Sequence, residues 1–140
     1  MNKFVKEFKD RGFFYQCTDE NDLSDALDKN KIKAYIGFDC TAESLHVGSL
    51  LQIMCLRLLQ QYGHQPIVLL GGGTTRIGDP SGKDKTRKIL NDNEIKKNSK
   101  NIEKILKKFL ITSNKKIKPI FYRTFPNKNS KTVFSLWANF

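Results

Sequence analysis

Residues 33–72 read KAYIGFDCTAESLHVGSLLQIMCLRLLQQYGHQPIVLLGG. This stretch decides the fold. Residues 33–38 are β-branched and aromatic, as a strand requires. Residues 48–62 place Leu51, Met54, Cys55, Leu58 and Tyr62 on one stripe of a 3.6-residue period, so they form a helix. Gly63 ends that helix, and Pro66 opens PIVLLGG, a continuous apolar run of strand length. A run without alternation suits a strand covered on both faces, as in a parallel sheet. Strand, helix and strand in about 40 residues make a crossover unit.

Working outward, residues 3–15 predict a short helix with Phe4, Val5 and Phe8 inward and Gly12 as its stop. A second helix is expected at 20–29, capped by Asp19 or Asn21, with Leu23, Ala26 and Leu27 inward. A third follows at 92–110, with Ile95, Ile102, Ile105, Leu106, Phe109 and Leu110 inward and lysines outward. The Gly-rich, charged stretch 71–88 reads as a long loop, and residues after Thr112 show no clear periodicity. The fold class is therefore α/β, a Rossmann-like parallel sheet with flanking helices. Residues 1–112 hold these elements, and 113–140 form an unassigned basic, aromatic tail.

One domain fits 140 residues, 39% of them apolar. No apolar run reaches the roughly 18 residues of a membrane span. The charged N-terminus MNKFVKEFKDRGFF lacks a secretory h-region. Cytosol or an organelle matrix is the expected location. Cys17, Cys40 and Cys55 form no CxxC pair, so three reduced thiols are expected, and no bound metal. The charge is uneven: residues 1–84 carry 10 Lys/Arg against 11 Asp/Glu (net −1), residues 85–140 carry 15 against 3 (net +12). That half invites either a polyanion or merely a solvated basic helix face.

In doubly wound sheets ligands sit beyond the carboxyl ends of the strands. Both strands deliver their loops, DCTAESLHVGSL and GGGTTRIGDPSGK, to that edge. The first enters a helix N-terminus, where free N–H groups and the dipole favour an anion. His46 and Thr41 add donors there, although a lone His at such a place also serves as an ordinary cap. Gly48 suits either a close ring or a tight turn. In the second loop Asp79 could hold an ammonium group, and Lys83 and Arg87 could clamp a polyphosphate. This loop is no Walker A motif: Ile77 stands where its first glycine belongs and Asp84 where its Ser or Thr belongs. GGGTTRIG also lacks GxGxxG spacing.

YIGFDCTAESLHVGS followed by VLLGGGTTRIGDPSGKDKTR resembles the N-terminal half of the catalytic domain of bacterial-type tyrosyl-tRNA synthetases, over roughly residues 4–110. His46-Val47-Gly48-Ser49 resembles their version of the class I HIGH signature. The resemblance implies activation of tyrosine by ATP, with Mg2+ accompanying the nucleotide, and transfer to tRNA-Tyr by a homodimeric, cytoplasmic enzyme. It implies that Tyr35 bonds the substrate hydroxyl and Asp79 its ammonium group. Gly37 and Asp39 would line the adenylate site, and Thr41 and His46 the phosphates. Gly48 and Ser49 would lie by the adenine and ribose, with Lys83 and Arg87 over pyrophosphate. Cys40 departs from the family's proline after GFD, and Ser49 from its histidine.

No KMSKS-type segment occurs before Phe140, and residues 113–140 do not match what the family places next. Alone, the 140 residues are expected to be weak or inactive in adenylate formation, as a gene fragment or a frame that left the ancestral one. The alternative is a non-catalytic basic RNA- or nucleotide-binding module derived from a synthetase.

Overall fold

The computed structural model describes residues 1–71, 90–123 and the backbone of 133–135. In chain order the elements are α1 (Lys3–Asp10), α2 (Glu20–Lys29), β1 (Lys33–Asp39), α3 (Val47–Gln61), β2 (Gln65–Gly71), α4 (Asp92–Phe109), β3 (Ile120–Tyr122) and β4 (Val133–Ser135). The strands form one sheet in the order β3-β2-β1-β4. Every pairing is parallel. The parallel α/β architecture read from residues 33–72 is what forms.

Local chemistry sets the element ends. α1 stops earlier than expected, at Asp10, because Gly12 takes φ +73° and closes a Schellman turn: Gly12 N–H donates to Lys9 O and Phe13 N–H to Phe8 O. α3 ends the same way at Gly63 (φ +83°), with Gly63 N–H on Gln60 O and His64 N–H on Leu59 O. Asp19, of the two expected caps, accepts from Asp22 N–H at 2.9 Å. Asn91 and Glu94 make a reciprocal capping box on α4.

The four described helices pack into one core cluster against one face of the sheet, built from Ala34, Ile36, Phe38 and Cys40 of β1 and its end, and Val68 and Leu70 of β2. α3 is buried more widely than its expected stripe: Leu51, Met54 and Tyr62 are half-buried, while Ile53, Leu56, Leu59 and Gln60 are buried. The reason is position, since α3 touches both central strands, α1 and α4. Phe109, expected inward, is 40% exposed, whereas Leu110, also expected inward, is buried in the core. At its centre β2 is buried on both faces. Ile67 is buried outside the core cluster, and Leu69 is half-buried.

The stretch after Thr112 is tied to the sheet rather than set apart from it. Gln60, 1% exposed, donates from Nε2 to Ile111 O (2.9 Å) and Ile117 O (2.7 Å), and its Oε1 accepts from Ile111 N–H (2.8 Å). Gln65 Nε2 adds a bond to Lys118 O at 3.1 Å. These bonds lead the chain into β3, whose Phe121 pairs with Val68. β4 then pairs with the other side of β1, Phe134 opposite Ala34. The division at residue 112 therefore does not mark the edge of the sheet.

His64, 6% exposed, accepts from Ile32 N–H through Nδ1 (3.3 Å). Burial first, and the Lys31 charge second, hold its pKa below the ordinary 6.5. The folded chain thus resists a proton that the unfolded chain accepts below pH 6.5. The contribution is complete above that pH and is lost as pH falls towards the depressed folded value. Urea unfolding between pH 8 and about 5.5 should show this decline. His64→Gln should flatten it; an equal slope in the variant would remove His64 as the cause.

Candidate active site at the switch point of the sheet

Alternation along β1 sends Ala34, Ile36 and Phe38 into the helical core and Tyr35, Gly37 and Asp39 to the opposite face. Tyr35 is half-buried there, and Gly37 and Asp39 are exposed. Three sequence-assigned residues thus share one side of one strand. Gly37 is informative because nothing inside the chain demands a glycine. Its φ is not positive, and a Cβ built on it meets no atom within 4 Å. The missing side chain leaves open space between Tyr35 and Asp39.

The chain order reverses between β1 and β4, since β2 and β3 lie on one side of β1 and β4 on the other. Such a reversal splays the connections apart and leaves a crevice at the carboxyl ends of the strands. The loop from Cys40 to His46 starts at that point. Gly71 is in register with Asp39, so the second loop leaves the sheet beside the first. Asp79, Lys83 and Arg87 lie outside the described residues.

His46 is the N-cap of α3: its Nδ1 accepts from Gly48 N–H at 3.1 Å. The ordinary cap role is therefore real, and it has a chemical consequence. With Nδ1 as acceptor, the neutral ring carries its proton on Nε2, an outward donor at the positive end of a helix. Gly48 is needed for this arrangement, because a Cβ there would stand 2.9 Å from His46 Cε1 and 3.0 Å from Nδ1. The His-x-Gly spacing is thus one device, a ring laid over a bare backbone. Thr41 is exposed on the loop. Ser49 is different: it is 5% exposed, on the inner side of the first turn, and its N–H bonds His46 O at 3.0 Å.

Two buried amides escaped the sequence reading. Asn98 of α4, 5% exposed, donates from Nδ2 to Cys40 O at 3.0 Å. Gln60 orders 111–117, as described. Their signal was a lone amide within an apolar helix stripe, Ile95-Asn98-Ile102 in one case and Leu56-Gln60 in the other. The partner lay over fifty residues away and could not be read locally. Lys97 Nζ of α4 also meets Glu43 Oε1 of the loop at 2.6 Å, an exposed pair. Its lysine pKa is raised, chiefly by that hydrogen bond.

None of the three cysteines is in a disulfide; Cys17 is exposed and the others are buried. Burial pushes Cys55 up to about 12 and raises Cys40 against a weaker opposing pull from the neighbouring Ser99 hydroxyl. Neither suits nucleophilic work. Among the described residues no group of three His, Cys, Asp or Glu gathers that could hold a metal.

A parallel sheet in this order, with a capped helix N-terminus at its switch point, defines the chain as part of a Rossmann-like α/β domain. The chain belongs to the class I tRNA synthetases of the tryptophan and tyrosine branch, the family described as "tRNA synthetases class I (W and Y)", whose model matches residues 27–135. The tyrosine–tRNA ligase of Pelagibacter ubique (strain HTCC1062) is 77% identical over 125 residues, 89% of this chain and 31% of that protein. The tyrosine–tRNA ligase of Rickettsia massiliae (strain Mtu5) is 58% identical over 108 residues, 77% of this chain and 26% of that protein. The crystal structure of a C-terminally truncated mitochondrial tyrosyl-tRNA synthetase from Aspergillus nidulans superposes with a TM-score of 0.69 at 27% identity, over 84% of this chain and 36% of that one.

The chain thus spans less than a third of the length of these curated relatives. The family match runs on to residue 135, beyond the limit near residue 112 that the motifs alone suggested.

Proposed function

We propose that this chain supplies the first part of a tyrosine-activating site, in which MgATP and tyrosine give tyrosyl-adenylate and pyrophosphate, and the tyrosyl group then passes to tRNA-Tyr. One observation carries the proposal: the open face of β1, Tyr35-Gly37-Asp39, runs straight to the rim where His46 caps α3. Tyrosine lies along this face with its hydroxyl at Tyr35, and the space at Gly37 admits the adenylate beside Asp39. Thr41 and the Nε2–H of His46 donate to phosphate oxygens as charge builds, which speeds an in-line displacement without a covalent enzyme intermediate. Gly48 lets the adenine approach, and Ser49 supports the turn from within.

Asp79 pairs with the substrate ammonium group, and Lys83 and Arg87 hold pyrophosphate. Magnesium arrives on the nucleotide as part of the substrate. The names of the relatives, tyrosine–tRNA ligases, support the substrate choice. The reading includes a homodimeric assembly and a cytoplasmic or organelle-matrix setting. Among the described residues no helix is long and apolar enough to cross a membrane.

Thermal shift tests the substrate class. Tyrosine with MgATP should raise Tm more than phenylalanine or tryptophan with MgATP, or tyrosine with other triphosphates. Equal responses to all would remove the assignment. Pyrophosphate exchange by the 140 residues alone should be weak or absent.

A second reading has its own support. Lys96, Lys100, Lys104 and Lys108 repeat every fourth residue along the exposed side of α4. This stripe suits RNA phosphates. RNA binding that weakens steeply with salt and ignores tyrosine and ATP would favour a non-catalytic module.

A further inference from the structure

The loop that leaves β1 must hold Thr41 still, yet the sheet ladder ends one residue before Cys40. Cys40 is fully buried, and its carbonyl lies beyond the last β1–β2 pair, Asp39 with Gly71. A buried carbonyl requires hydrogen bonding. Asn98 supplies it from α4, 58 residues away, at 3.0 Å. An amide within the stripe Ile95-Ile102-Leu106 costs desolvation that an aliphatic residue would avoid. Helix packing therefore does not account for its presence. The two positions before and after the bonded carbonyl are Asp39 and Thr41, both exposed towards the rim. The adjacent Lys97 reaches Glu43 on the same loop at 2.6 Å. One turn of α4 thus fastens the loop at two points, the buried one by Asn98.

We propose that Asn98 is a positioning residue: its hydrogen bond to Cys40 O fixes the peptide between Asp39 and Thr41 so that Thr41 faces the triphosphate. This rests on the nucleotide reading of that loop. Asn98 itself touches no substrate. It acts on the phosphate end of the site, whereas Tyr35, four pairs back inside the β1–β2 ladder, is held by the sheet.

The test compares wild type with Asn98→Ala and with Asn98→Leu, which lacks the donor but keeps most of the volume. Backbone ¹⁵N relaxation on the ligand-free chain reads positioning directly. Order parameters at Thr41–Leu45 should fall in both variants from near 0.85 to below about 0.6, with β1 and α3 unchanged. Unchanged loop order in both variants, or restored order in Asn98→Leu alone, would overturn the proposal, the latter by showing that bulk suffices. ATP titration is the second arm. Both variants should lose about tenfold in ATP affinity, with tyrosine affinity kept, a difference of about 1.4 kcal/mol. Equal loss for both ligands would assign Asn98 a general structural role. A wild-type chain that binds no ATP would instead defeat the nucleotide reading, while relaxation still decides whether Asn98 orders the loop.

Discussion

Gln60→Leu should lower the unfolding free energy by about 3 kcal/mol or more, and Gln60→Glu should leave no cooperatively folded chain. The amide is 1% exposed and satisfies three backbone groups, Ile111 N–H, Ile111 O and Ile117 O. Leucine fills the volume but strands all three, each worth about 1–3 kcal/mol when buried without a partner. Glutamate does worse, because it sets an oxygen where Nε2–H groups donate to two carbonyls, and it buries a charge. Domains of this kind are stable by roughly 5–15 kcal/mol, so either change is a large fraction of the total. Urea unfolding followed by circular dichroism measures it. Losses under about 1 kcal/mol in both variants would show that 111–117 is not held by this amide.

The second large effect separates stability from binding. Gly37→Val should fold as well as the wild type, since the new Cβ meets no atom within 4 Å and valine suits a strand. The same side chain enters the space assigned to the adenylate. Overpacking of that kind costs about 1–3 kcal/mol, roughly five- to more than hundredfold in affinity. Thermal shift reads both properties at once: an unchanged baseline Tm, and no further rise with tyrosine and MgATP. A variant that kept the ligand-induced rise would show that the glycine faces no ligand.

Much of the fold was legible because its signals are local. The run of apolar residues in β2, the glycine stops at 12 and 63, and the polar start of α2 each act within a few residues. β3 and β4 were not legible, for they are three-residue strands whose pairing partners, Ile67–Leu69 and Lys33–Tyr35, lie far back in the chain. Phe109 misled because helical period alone does not tell which turn the core covers.

The site divided the same way. The strand that carries Tyr35, Gly37 and Asp39 was readable from its β-branched and aromatic residues, while the three positions themselves came from the resemblance of the motif. His46 was readable as a cap or as a ligand, and the structure makes these compatible, since capping through Nδ1 frees Nε2–H. Ser49 faces inward from the first turn of α3. Asn98 and Gln60 stayed hidden because their meaning depends on a carbonyl over fifty residues distant.

Amide-resolved titration with tyrosine and MgATP tests the central claim most directly, and it tolerates weak binding. Shifts concentrated at Tyr35–Thr41 and His46–Ser49, saturating together, are the predicted result. Shifts along the lysine side of α4 with β1 and the His46 turn unmoved would contradict it, and would place the ligand on the basic helix instead.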